Sequence, residues 1–176
     1  MLGHEFPVKR SLTINVNGIE KQIETGGRID RLDEISVDSD NARLRVVDYK
    51  TGGKVAESLK CIDEMFDAKN LDKKSDYTMQ AMLYSLIEAT NDPEHNPNHR
   101  AVSPALLFIQ HAGSEDYTPV LSIDKEEVTD VTVYEEDFLR KLTEKLEEIH
   151  NPNIAFAPTD NTNTCKYCPY KQMCGR

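Results

Sequence analysis

Hydrophobic and polar positions alternate along "KRSLTINVNGIEKQIETG" on both sides of Asn17-Gly18, a dipeptide that favours a tight two-residue hairpin turn. The segment Gly26 to Gly53 continues with strand-like patterning and is read as two strands joined by a polar turn over Asp38 to Ala42. From Asp76 to Ala89 the period changes. Met79, Met82, Leu83, Leu86 and Ile87 recur at helical spacing, and the polar run "TNDPEHNPNHR" ends that helix. "SPALLFIQH" then reads as a buried strand and "TPVLSI" as another, before Phe138, Leu139, Leu142, Leu146 and Ile149 mark an amphipathic helix running to about His150. Strands, helix, strands, helix is an α/β order. It predicts a mixed central sheet in which the hairpins of residues 9–50 are extended by a strand at 104–110, with helices at 76–89 and 134–149 packed on it.

A chain of 176 residues suits one domain with a proper core, divided here into a core at 1–158 and a Cys-bearing tail of the same domain at 159–176. Hydrophobic content of 38% beside 30% charged residues is that of a globular protein. Neither an apolar run of membrane length nor an apolar signal core at "MLGHEFPVKR" is present, and a cytoplasmic protein is expected. The net charge of −10 argues against nucleic-acid binding when taken alone. Its distribution changes that picture, because residues 1–60 hold ten Lys or Arg against ten Asp or Glu. Beyond Asp160 the tail carries Lys166, Lys171 and Arg176 and no acid. A local basic surface remains open.

With the second turn centred near Ser39, antiparallel pairing sets Asp30 opposite Asp48 on one face. Side chains repeat every second residue, so Lys50 joins them while Val47 and Tyr49 point to the other side. Two facing carboxylates repel unless neutralised, and a divalent cation bound through oxygen is the most effective neutraliser. The plainer alternative is a solvent-exposed strand with a weak Asp48–Lys50 surface pair.

"GGRIDRLD", then "RVVDYKTG", then "QAMLY", and finally "FAPTDNTNTCKYCPYKQMC" together resemble the PD-(D/E)xK nuclease superfamily, specifically the RecB-like branch with AddB-type helicase-nucleases and CRISPR-associated relatives. The resemblance implies a restriction-endonuclease-like core in which Asp30 and Asp48 hold catalytic Mg²⁺ or Mn²⁺ and Lys50 serves catalysis. Gln80 and Tyr84 match a helical Gln with a Tyr four residues on, implying roles in catalysis and in binding DNA. Without the resemblance, such a pair would be read as a half-buried helix face. Phosphodiester hydrolysis needs an activated water and stabilised negative charge, both of which a cation supplies, and a lysine beside it can orient or deprotonate that water.

The chain departs from the RecB-like pattern at its start, where the resemblance implies a helix carrying a further ligand, usually His, and the sequence shows no such helix. His4 and Glu5 in "GHEFPV" are candidate ligands, or simply residues of an exposed terminus. The implied protein is the C-terminal part of a larger recombination or repair helicase-nuclease, a DNA exonuclease acting on single-stranded ends beside a helicase domain or subunit.

Cys165, Cys168 and Cys174 form C-x2-C-x5-C, a spacing that suggests a metal more than a disulfide in a cytoplasmic protein. Zinc and an iron-sulfur cluster fit the spacing equally, and free thiols are the simpler alternative. The resemblance implies a [4Fe-4S] cluster completed by an upstream cysteine, for which Cys61 is the one candidate, although Cys61 also reads as a half-buried helix residue. Two other function classes stay in play: a catalytically inactive nuclease fold that binds DNA or a partner, and a zinc-stabilised interaction module.

Overall fold

The computed structural model describes residues 1–36, 42–91 and 94–175. Strand β1 (Gly3–Val16) turns at Asn17 and Gly18, whose φ values of 54° and 82° are those of a tight hairpin, and returns as β2 (Ile19–Ser36). Inward Val8, Leu12, Ile14 and Val16 are buried while their neighbours are exposed or half-buried, so the alternation in the sequence is the alternation of the pleat. Sequence patterning expected a first hairpin over Lys9 to Gly26 and further strand from Gly26 onward. Both strands are longer than that. β1 already starts at Gly3, and β2 runs unbroken through Gly26 because that residue adopts φ 153° with the Val8 carbonyl pressed against it; a Cβ there would stand 2.1 Å from the oxygen.

Strand β3 (Ala42–Lys50) pairs antiparallel with β2 from Ser36↔Ala42 to Arg31↔Val47, the register expected for a turn centred near Ser39. Ala42, assigned to the turn by sequence, is a ladder residue; the rest of the expected turn lies outside the described residues. After β3 the chain passes through two short 3-10 segments, Ile62–Phe66 and Ala68–Lys73, into helix α1 (Ser75–Asn91), slightly longer than its apolar pattern indicates. It returns as β4 (Val102–Phe108), parallel to β3. A parallel return requires such a crossover. Among the described residues the sheet has the order β1-β2-β3-β4. This is the mixed sheet flanked by helices that the element order predicts.

The expected strand at 104–110 starts earlier and stops at Phe108, where Ile109–His111 tighten into a 3-10 turn. "TPVLSI" is mostly not regular strand: Val120 bridges Ala105 on the outer edge of β4, and Ser122–Ile123 (β5) pairs briefly with Glu126–Glu127 (β6). A 3-10 turn at Val131–Tyr134 leads into helix α2 (Glu135–His150), which packs against β1 and the Ile62–Phe66 segment. Leu44, Val46, Met82, Leu86, Val102 and Phe138 are fully buried between sheet and helices. Burial of each large side chain contributes about 1.5–3 kcal/mol. Arg10 fastens the layers, donating to Glu135 at 2.8 Å and to Thr90 at 3.1 Å. Among the described residues no helix is long and apolar enough to cross a membrane.

Candidate active site

The β2–β3 ladder ends at Arg31↔Val47, and the next residues outward are Asp30 and Asp48. There the Asp30 carboxylate, rather than another strand carbonyl, accepts the backbone N–H of Tyr49 at 2.7 Å. That bond ties one acid to the middle residue of "DYK". Behind the strand, Arg31 grips Asp33 with two bonds from Nε at 2.9 and 2.8 Å and a further close contact from Nη2. Its Nη1 donates to the Tyr49 hydroxyl at 3.2 Å, and these partners, Asp33 first, raise the Arg31 pKa further. Tyr49 is held from both faces, so its neighbours Asp48 and Lys50 are aimed toward α1.

Asp48 is buried at 5% exposure, and Lys50 Nζ lies 2.5 Å from its Oδ2. Burial pushes the Asp48 carboxyl above its ordinary range; Lys50 opposes the shift, while the charge of Asp30 adds to it. The Asp30 charge is thus felt at Asp48. The Asp48–Lys50 contact is a close ion pair made through Oδ2. A buried carboxylate that feels the charge of a second acid offers the oxygen donors that a hard cation takes.

Helix α1 completes the cluster. Gln80 accepts from Lys50 Nζ through Oε1 at 3.0 Å and donates through Nε2 to the Tyr84 hydroxyl at 3.1 Å, so the amide's orientation is fixed by both neighbours. Tyr84 rests on Gly27, where an added Cβ would lie 2.0 Å from the hydroxyl oxygen. Sequence reasoning singled out Gln80 and Tyr84 but passed over Tyr77, whose ring lies 4.3 Å from Lys50 Nζ. Spacings of three and four put Tyr77, Gln80 and Tyr84 on one helix face, a signal present in the sequence. The parallel register also places Lys50 beside Phe108. The turn that follows holds the loop after Lys50: Gln110 donates to the Thr51 carbonyl at 2.9 Å and His111 Nε2 meets that of Gly53 at 2.7 Å.

His4 and Glu5 are exposed strand residues rather than a loose terminus. His4 pairs with Arg31, whereas Glu5, at φ 48°, drops out of the ladder and lies 3.8 Å from Arg28. Cys61 is exposed and precedes the Ile62–Phe66 turn, instead of lying half-buried on a helix. Cys165 and Cys168 are half-buried and Cys174 exposed in a tail of successive turns. Among the described residues no three His, Cys, Asp or Glu side chains converge into a metal-holding group, so the four thiols do not form a cluster-binding set as arranged. Asp30 and Asp48 present a different donor set: one or two carboxylates are what Mg²⁺ takes from a protein when water and phosphate fill its remaining positions. The residues fit that cation.

No curated protein and no solved structure shows significant similarity to this chain. A family model does, matching residues 2–175, and it is that of the PD-(D/E)XK nuclease superfamily. The match spans nearly the whole chain and includes the sheet, the helix α1 and the tail, so the chain belongs to the PD-(D/E)XK nuclease superfamily.

Proposed function

We propose that this domain is a Mg²⁺- or Mn²⁺-dependent DNA nuclease that hydrolyses phosphodiester bonds with Asp30, Asp48, Lys50, Gln80 and Tyr84. The observation that carries the reading is the buried Asp48 paired with Lys50 and continued through Gln80 to Tyr84. A cation held by Asp30 and Asp48 would act as a Lewis acid on the phosphate and lower the pKa of a bound water. The chain's own groups do the rest. Tyr49 N–H anchors one oxygen of Asp30 and leaves the other for the cation. Lys50, at 15% side-chain exposure, is held at Nζ between Asp48 and Gln80, where it can orient the attacking water or exchange a proton with it. Gln80 keeps its carbonyl toward Lys50 because its amide nitrogen is committed to Tyr84.

The RecB-like features support a finer version: an exonuclease trimming single-stranded ends as part of a recombination or repair helicase-nuclease. The C-x2-C-x5-C spacing alone supports a [4Fe-4S] cluster, or zinc, in the tail. The test is digestion of end-labelled single- and double-stranded DNA with Mg²⁺ or Mn²⁺. Asp48→Ala should abolish cleavage while DNA binding survives, since phosphate contacts come from Lys and Arg. Lys50→Ala should slow cleavage by about 10²–10⁴-fold. Parental cleavage by both variants would overturn these residue roles, and a parent that does not cleave in Mg²⁺ or Mn²⁺ would leave the nuclease fold that only binds DNA or a partner.

A further inference from the structure

Lys50 is not the only ammonium at the face of Tyr77. Lys74 Nζ lies 4.9 Å from the centroid of the same ring, against 4.3 Å for Lys50. Neighbouring lysines behave differently: Lys73 pairs with Glu64 at 3.8 Å and Lys54 with Glu57 at 3.2 Å, whereas Lys74 makes no ion pair among the described residues. Lys74 is also held in place by its backbone. It adopts φ 64° at the junction between the Ala68–Lys73 turn and α1, and its N–H closes that turn on the Asn70 and Leu71 carbonyls. A lysine in the left-handed region is uncommon, and the fold holds it there one residue before the helix that carries Tyr77, Gln80 and Tyr84. Tyr77 itself is half-buried, leaning toward Phe108 with ring centroids 6.4 Å apart, so its ring is a fixed platform.

We infer that Tyr77 is a positioning residue for Lys50 and that Lys74 is a substrate-binding residue contacting a nucleic-acid phosphate next to the one being cleaved. The inference rests on the nuclease reading and extends the site along α1. The ring's negative face attracts both cations and is where each ammonium does not need a carboxylate to stay. Lys50 is then held by three partners, Asp48, Gln80 and the ring, while Lys74 keeps its N–H donors available for a phosphate. The two cations flanking one ring can meet neighbouring phosphates on a single strand, which gives the approaching backbone a direction across the site. A strand whose phosphate is held at Lys74 presents the adjoining phosphate to Lys50 and the two acids.

Two substitutions separate the roles. Lys74→Asn keeps a residue that tolerates the left-handed conformation. Measured on a short labelled single-stranded oligodeoxynucleotide in Mg²⁺, it should raise KM with kcat near parental. It should also reduce the slope of log binding constant against log salt by about 0.7, the loss of one phosphate contact on a single strand. Tyr77→Leu should lower kcat by about tenfold with little change in KM, and Tyr77→Phe, which keeps the ring, should restore it. The Lys50 ε-methylene proton resonance should be ring-shifted in the parent and in Tyr77→Phe and lose that shift in Tyr77→Leu. Parental KM and salt slope in Lys74→Asn would overturn the role of Lys74. Parental kcat in Tyr77→Leu, or equal losses in Tyr77→Leu and Tyr77→Phe, would overturn that of Tyr77. Parental cleavage in Asp48→Ala would instead defeat the active-site assignment on which the inference rests; oligonucleotide binding in Ca²⁺ and the Lys50 resonance then still decide whether Lys74 and Tyr77 act as inferred.

Discussion

Replacing Gly27 with alanine tests whether the chain from sheet to catalytic lysine is mechanically continuous. Gly27 has no unusual φ, so the backbone accepts alanine; the obstacle is space. The new Cβ would fall 2.0 Å from the Tyr84 hydroxyl oxygen, 2.4 Å from Cζ and 2.8 Å from Cε1. Ordinary contact begins near 3.4 Å, so the ring tip must move by more than an ångström. Tyr84 is only 9% exposed and packs in the core, so the move strains its surroundings. Overpacking of this kind costs about 1–3 kcal/mol. The displaced hydroxyl would abandon Gln80 Nε2, now 3.1 Å away, and Gln80 would lose its orientation toward Lys50. A misplacement of about 1 Å at a catalytic group costs about 10²-fold in rate. The expected result is a lower melting temperature together with a kcat reduced far more than KM. A double-mutant cycle with Tyr84→Leu supplies the control: once the ring is gone the clash is relieved, so the pair should be less destabilised than the sum of the single changes. Parental stability and cleavage in Gly27→Ala, or strict additivity in the cycle, would refute the argument.

Other outcomes follow from the same geometry. A carboxyl with a raised folded pKa holds its proton more readily folded than unfolded, so ionised Asp48 subtracts stability above its folded pKa, and the loss fades as pH falls below the ordinary carboxyl range. Thermal melts should therefore show Asp48→Asn more stable than the parent near neutral pH and indistinguishable from it in acid; a variant less stable at neutral pH would mean that Lys50 dominates over burial. Mg²⁺ at about 100 times its dissociation constant should stabilise the parent by about 2.7 kcal/mol, a rise of about 5–11 °C for a domain of this size, and leave Asp48→Ala unmoved. An equal rise in both would place the cation elsewhere. Protein prepared without oxygen should show a broad absorbance of about 400 nm if the tail thiols hold an iron-sulfur cluster. That band should vanish in Cys165→Ser, and a colourless preparation containing zinc would decide for the other metal.

Local chemistry determined much of this protein. Asn17-Gly18 set the first hairpin, because a two-residue turn with both residues at positive φ is within reach of few other pairs. Period-two and helical patterning located β3, α1, β4 and α2 to within a few residues, and the register of β2 on β3 followed from the centre of one turn. The ordered motifs around Asp30, Asp48, Lys50, Gln80 and Tyr84 named the candidate site, since a strand reads out to one face at every second residue and a helix at every third or fourth.

Tertiary structure decided what separate segments become when packed together. The unbroken course of β2 through Gly26 depends on the Val8 carbonyl of a neighbouring strand, and the fit of Gly27 depends on a helix nearly sixty positions away. Burial of Asp48, which sets the direction of its pKa, arises from α1 and β4 covering β3. Tyr77 comes to Lys50 only when α1 crosses the sheet, because that contact joins two segments whose separate spacings do not encode it, whereas Lys74, three residues before Tyr77, reaches the same ring locally.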